Sequence, residues 1–418
     1  MGRILIAVVW VASRVFVLWL FFGRESWVTG DITYFEQSLR AVPDVGFGAT
    51  LGEYPLPGVV LVAIPWLLAL WLDHPGAYSE IVMGLALATD AAFTVLLQRF
   101  GRERGVSGLW VWLLAVPLLG ATTYARFDLV PGILAGVAVL LLATYPRLAA
   151  VAATVATGLK LWPALLLPAL AAPSRTRRVV LGVVGVGGAV LVVASFLVGG
   201  WERLVSPLTW QSDRGLQIES VPATPVMLAW ALHPAAHSVE YSEYNAYEIY
   251  GPGVPWLLEA TSLLSVLMVL GTGLLWVRAW RQGPAIRPEA VVWLCLAAVT
   301  AFMASSKVLS PQYLLWLLPL AAAGLTVAEA REARRSLLQW SALLLAATAA
   351  THLVFPVFYI SLVGHTSTSL AVVVLLAVRN VMVVLLLVVA VVEAWRLTSR
   401  SPQPASASVE AARPRWNT

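Results

Sequence analysis

Residues 147–173 read RLAAVAATVATGLKLWPALLLPALAAP, an apolar run long enough to cross a membrane once, with Lys160 at its centre. Lysine is rare in this chain: of 27 Lys and Arg residues, only Lys160 and Lys307 are lysines. An ammonium group halfway across the hydrocarbon costs about 2.5–3.5 kcal/mol on insertion scales, so a single span through Lys160 is unfavourable. Two short arms meeting at Lys160 bring the charge to one membrane surface instead. Arginine clusters decide between these readings. RFGRERG (99–105), SRTRR (174–178), VRAWRQGPAIR (277–287) and EAREARR (329–335) all belong on the cytoplasmic side by the positive-inside rule. With ILIAVVWVASRVFVLWLFF (4–22) running outward, residues 77–98 must return RFGRERG to the inside. The proline-broken run PLPGVVLVAIPWLLALWL (55–72) is then not a span, and is expected to lie on or dip into the outer leaflet. By the same parity, SRTRR is inside only if 147–173 is a hairpin with arms 147–159 and 161–173.

Further spans fall at 107–122, 128–145, 179–199, 254–277, 288–304, 311–328, 336–356 and 367–395. The expected fold is an all-α polytopic membrane protein of about 12 transmembrane helices, with an interfacial helix in the first external loop. One domain, 1–396, carries external loops at 23–76 and 200–253; residues 397–418, rich in Pro, Ser and Ala, form a disordered cytoplasmic tail. Both termini are expected inside. The run 4–22 is too long for a signal-peptide core and lacks a small-residue cleavage site, so it reads as a retained anchor.

Composition agrees. At 60% hydrophobic and 12% charged residues, the chain has too little polar surface for a soluble globule. The net charge of +5 reflects arginines on cytoplasmic loops and is no sign of nucleic-acid binding. A single cysteine, Cys295, inside an apolar run excludes a disulfide framework and a thiolate metal site.

The residues that carry chemistry gather on the outer side. Asp31, in GDITYFEQSLR, stands at the membrane surface just after the first span, where a carboxylate can deprotonate an acceptor hydroxyl. It also suits the N-cap of the amphipathic helix that follows through Tyr34 and Phe35. Glu53 precedes the interfacial helix, and Glu36 is the next acid after Asp31. In TTYARFDLVPG (122–132), Arg126 and Asp128 are close neighbours; the plain reading is an ion pair closing a turn. Lys160 and Lys307 each sit at an outer turn, where they can snorkel to headgroups or meet a phosphate. Arginine snorkels equally well in so arginine-rich a chain, which favours the phosphate. The loop 200–253, with WQSDRGLQIESVPATP and YSEYNAYEIYG, supplies Arg214, Gln217 and Glu219 among aromatic residues suited to a sugar, as an interfacial belt also is. His352, at the end of the eleventh span, is a further site candidate. Asp90, Arg14 and Arg379 lie within spans, where pairing of Asp90 with Arg14 or Arg379 is the simple explanation. His233 and His237 have Pro234 between them and no third ligand, so no metal site is expected.

Taken in order, Asp31 after the first span, YPLP, ARFD, GLKLWPALLLP, RGLQIES and SSKVLSPQYLLWLLP resemble the actinobacterial polyprenyl-phosphate-mannose-dependent mannosyltransferases of glycosyltransferase family 87, in the GT-C superfamily. The resemblance spans about residues 1–395. It implies an enzyme that moves a sugar, mannose first, from a polyprenyl phosphate to a glycolipid or glycan on the outer face, with inversion and without a metal or other cofactor. It also implies that Asp31 is the general base. The superfamily often has two adjacent acids; here Ile32 follows Asp31, which leaves the second role open among Glu36, Glu53 and Asp128. Lys160 is the expected phosphate anchor, with Lys307, Arg126 and Arg214 as further cations, since charge grows on a departing phosphate. Tyr34, Gln217, Glu219 and His352 are expected toward sugar or acceptor. A secondary transporter or lipid flippase is the alternative class, disfavoured because the two halves show no internal repeat.

Overall fold

The computed structural model describes residues 2–72, 74–102 and 105–399. The longer helices are α1 (Gly2–Phe22), α2 (Gly30–Arg40), α3 (Leu56–Ala69), α4 (Ala77–Gly101), α5 (Ser107–Leu119), α6 (Leu129–Leu141) and α7 (Pro146–Leu159). They continue as α8 (Ser174–Ser212), α9 (Thr224–Leu232), α10 (Val254–Gln282), α11 (Pro288–Ser305), α12 (Leu314–Val327), α13 (Arg331–His352) and α14 (Ser369–Ser399). Among the described residues, seven helices (α1, α4, α8, α10, α11, α13 and α14) are long and apolar enough to cross a membrane, and α3, α5, α6, α7 and α12 are shorter apolar helices. The chain is an all-α polytopic membrane protein. Among the described residues the strands are a single hairpin, β1 (Ser238–Tyr241) paired antiparallel with β2 (Tyr247–Tyr250).

The core forms around α12, every residue of which is buried. Between membrane helices, close packing replaces the hydrophobic drive that water supplies elsewhere, so small residues mark the contacts. A Cβ on Gly132 would come within 2.1 Å of the Leu315 carbonyl oxygen, and one on Gly136 within 2.8 Å of the Pro319 oxygen. Those two glycines, one helical turn apart, let α6 lie directly on the α12 backbone. α11 is enclosed too, packed between α10, α12 and α14.

Each of the three charges singled out inside the spans meets an opposite charge. Arg14 of α1 binds Asp90 of α4 through Nε and Nη2 at 2.8 and 2.9 Å. Asp90 also accepts from Trp112 Nε1 at 2.7 Å and Tyr124 OH at 2.9 Å. Arg14 Nη1 donates to Ser13 Oγ and the Leu113 carbonyl. Of the two pairings open to Asp90, the fold uses Arg14; Arg379 turns instead to Glu219 at 3.4 Å.

Three segments refine the sequence reading. The arm 161–173 is not a second α-helix but a 3₁₀ turn, Trp162–Leu166, followed by a single turn, Leu167–Leu170. Pro163 and Pro168 remove the amide donors a continuous helix needs there. α8 ends its first part at the expected boundary, where Gly199 and Gly200 (φ +66°) bend the chain, and then stays helical to Ser212. Residues 397–399 of the expected tail belong to α14; the rest of the tail lies outside the described residues.

Candidate functional site

Polar side chains converge at one end of the bundle, where the loop before α3, the segment 120–128, the end of α7 and the start of α12 meet. The segment after Ala125 is the key. Arg126 is extended (φ −119°, ψ 135°) and Asp128 opens α6, so the side chains on either side of Phe127 diverge. Arg126 and Asp128 therefore do not close a turn on each other, as proximity in sequence suggests. Arg126 reaches the Asp31 carboxylate, while Asp128 accepts Lys160 Nζ at 2.8 Å on both oxygens. Phe127 sits between, edge-on to Tyr54 at 5.2 Å.

The two pairs differ in surroundings. Asp128 is 2% exposed and also accepts Trp316 Nε1 at 2.6 Å. Trp316 lies in a stack between Tyr313 (3.8 Å) and Trp162 (4.8 Å), and Lys160 Nζ stands 5.8 Å from its ring. Lys160 is held there because α7 ends at it: the residue is extended, and α3 packs on the turn so closely that a Cβ on Gly58 would lie 2.7 Å from the Leu159 oxygen. Asp31, in the first turn of α2, is 34% exposed. Arg126 is only 10% exposed, and its Nε has no hydrogen-bond partner among the described residues.

Beside Asp31, Tyr34 hydrogen-bonds Glu53. Burial raises the Glu53 carboxyl above the usual carboxylate range, against the pull of that hydrogen bond and of Arg203; the Asp31 charge raises it further. Arg203 in turn holds the loop, donating to the carbonyls of Thr50 (3.0 Å), Leu51 (3.3 Å) and Tyr54 (2.8 Å). Burial and the charges of Asp31, Asp128 and Glu53 keep the Tyr54 phenol protonated, so it is a donor at this site.

The other sequence candidates lie around this centre with different partners. Lys307 donates to the Ser212 carbonyl at 2.8 Å, and burial lowers its pKa. Arg214 donates to the Tyr244 carbonyl at 3.2 Å. Gln217 ties its loop to the next, accepting Leu309 N–H at 2.7 Å and donating to Ser310 Oγ at 3.3 Å. Glu219 is buried against Arg379; burial pushes its carboxyl up to about 7, although Arg379 and Arg126 pull the other way. Glu36 pairs with Arg40 on the surface of α2. His352 binds Glu25 at 2.6 Å, and Glu25 also accepts the Ala121 amide at 3.0 Å, a pair that sequence reading did not reveal.

A small apolar groove of about 80 Å³ has Arg126 in its lining. Phe35, Val62, Pro65, Leu85, Tyr124 and Leu129 are in its wall, and Arg126 is its charged residue.

In comparison with known proteins, the model of glycosyltransferase family 87 fits residues 53–311, more than half of the chain. That span includes Glu53, Arg126, Asp128, Lys160, Arg214 and Lys307, and begins after Asp31. No curated protein and no solved structure matches.

Proposed function

The chain belongs to glycosyltransferase family 87, and from that premise we propose that this membrane glycosyltransferase takes a sugar, mannose first, from a polyprenyl-phosphate donor and passes it to a glycolipid or glycan acceptor on the outer face of the membrane. The observation that carries the donor class is the apolar groove that has Arg126 as the charged residue of its lining. The prenyl chain occupies the groove and the phosphate meets the guanidinium.

Asp31 takes the proton of the acceptor hydroxyl. The acceptor oxygen attacks the anomeric carbon as the bond from that carbon to the phosphate oxygen breaks, and the electron pair leaves with the polyprenyl phosphate. Attack opposite the leaving group inverts the anomeric centre. Charge that grows on the phosphate is met by Arg126, whose free Nε is available for a phosphate oxygen. Lys160 is already neutralised by Asp128, which moves the leading phosphate role from Lys160 to Arg126 and leaves Lys160, Lys307 and Arg214 as supporting cations. Side-chain cations thus supply the stabilisation, and the scheme calls on no metal.

Arg126 has a second consequence. While it is bound to Asp31 the base is occupied, and a donor phosphate competes for the same guanidinium. Donor binding thereby frees the base, which orders the reaction donor first. Transfer of radiolabel from synthetic polyprenyl-phosphate-mannose to a mixed glycolipid extract tests the reading: label is expected with wild type and lost with Asp31→Asn. Equal transfer by both proteins would reject Asp31; none by either would reject the donor.

A further inference from the structure

Beside the catalytic centre a row of aromatic rings runs out from the core, where Phe355 and Tyr359 pack, to the surface at Trp27 and Tyr241. Trp27, four residues before Asp31, packs edge-on to Phe355 at 5.1 Å and stacks near Tyr359 at 6.3 Å. Tyr359 touches Tyr247 at 5.8 Å, and Tyr247 meets Tyr241 directly across the hairpin at 5.1 Å. The set is continuous with the site: Arg126 lies over Phe355 at 5.7 Å, and the Asp31 and Arg126 charges both act on the Tyr241 hydroxyl.

The two ends of the set are exposed, while Tyr247 and Tyr359 between them are half-buried and Phe355 is buried. Trp27 is 50% exposed and Tyr241 61% exposed. They are nevertheless held in place. The hairpin is pinned from behind, with Ile218 N–H donating to the Tyr247 carbonyl at 3.1 Å and Ile249 N–H to that of Leu216 at 3.0 Å. A polar group borders the shelf at its hairpin end, where Tyr241 OH reaches Asn245 Oδ1 at 3.3 Å.

We propose that Trp27, Tyr241, Tyr247 and Tyr359 form the subsite for a hexopyranose ring of the acceptor. A pyranose offers an apolar C–H face to stack on an aromatic ring and a rim of hydroxyls for flanking acceptors. The donor sugar is tied to the phosphate at Arg126, on the groove side. The acceptor hydroxyl must reach Asp31, and the shelf begins at Trp27, on the turn that leads into the Asp31 helix. This inference rests on the glycosyl-transfer reading above.

Binding is measured by saturation-transfer NMR on the full-length protein in detergent, with methyl α-D-mannopyranoside, methyl α-D-glucopyranoside and methyl α-D-galactopyranoside as probes and no donor present. At least one glycoside is expected to bind wild type. Trp27→Ala and Tyr241→Ala should each weaken that binding about five- to tenfold, while Trp71→Ala, a more exposed indole elsewhere, leaves it unchanged. Trp27→Phe should restore most of the loss and guards against a folding defect. In transfer assays the shelf variants should raise the acceptor KM without moving the donor KM. No glycoside binding to wild type, or equal binding by the Trp27 and Tyr241 variants, overturns the subsite and marks the rings as an interfacial belt. Glycoside binding without any sugar transfer leaves the shelf standing and rejects the donor assignment instead.

Discussion

The chain contains the same chemical pair, an arginine with an aspartate, in two settings. In Arg14–Asp90 the carboxylate accepts from the guanidinium, an indole and a phenol, and the guanidinium spends its remaining donors on Ser13 and Leu113. In Arg126–Asp31 the carboxylate is one-third exposed, and the guanidinium keeps a donor without a partner beside an apolar groove. Both arginines are nearly buried, so burial does not separate structure from function here. Saturation of hydrogen bonds separates these two pairs. A closed network holds helices together, and an open one has room for a substrate.

The same substitution at the two aspartates sharpens that contrast most. Asp31→Asn should lower transfer roughly 10²- to 10⁴-fold with an unchanged melting temperature. Asp90→Asn should leave Arg14 buried without its counter-ion and destabilise the fold by about 3–5 kcal/mol, read as loss of the monodisperse species on heating in detergent. Exchanged outcomes would break the comparison. Arg126→Gln comes next, removing a charge-assisted hydrogen bond worth about 1.5–3 kcal/mol, so donor KM should rise about tenfold or more while the acceptor KM holds.

Glu219, at the back of the site, predicts a pH effect. Its carboxyl is pushed up to about 7 by burial, so the folded state holds the proton more tightly than the unfolded chain. The stability this adds is present in full below the ordinary glutamate value of 4.5 and is lost as pH rises through about 7. Melting temperature should therefore fall across that window, and Glu219→Gln should flatten the slope. Arg40→Ala, which removes an exposed pair with Glu36, should change stability by about 0.3–0.5 kcal/mol and leave transfer alone. It calibrates the other substitutions.

Much of this was legible in the sequence. Apolar runs gave the helices, and Lys160 marked the break after α7, although the unwinding of the second arm at Pro163 and Pro168 was not read. Asp31 and Arg126 stood out as outer charges. Their pairing was not legible, because Arg126 sits two residues from Asp128 and 95 from Asp31, and only an extended backbone with Phe127 wedged beneath it turns the neighbours apart. The hairpin escaped for a different reason. YSEYNAYEIYG (241–251) is short and tyrosine-rich, and its turn depends on Asn245 adopting φ +54°. Its strands hold because loop 216–218 pairs with them, a contact between distant segments that local pattern does not encode.

The enclosure of α11 has a consequence for how the protein is made. Its most apolar window is 89% covered by protein, whereas that of α8 is 11% covered, and its mean hydropathy of 1.6 is well below the 2.9 of α14. During synthesis α11 leaves the ribosome before α12 and α14, two of the helices that finally surround it. Until they arrive it faces lipid, or the insertion machinery, with the least apolar surface of the pair. Biogenesis is thus last-helix dependent: the segment 369–399 is the stave that closes the barrel of helices around a stem inserted earlier.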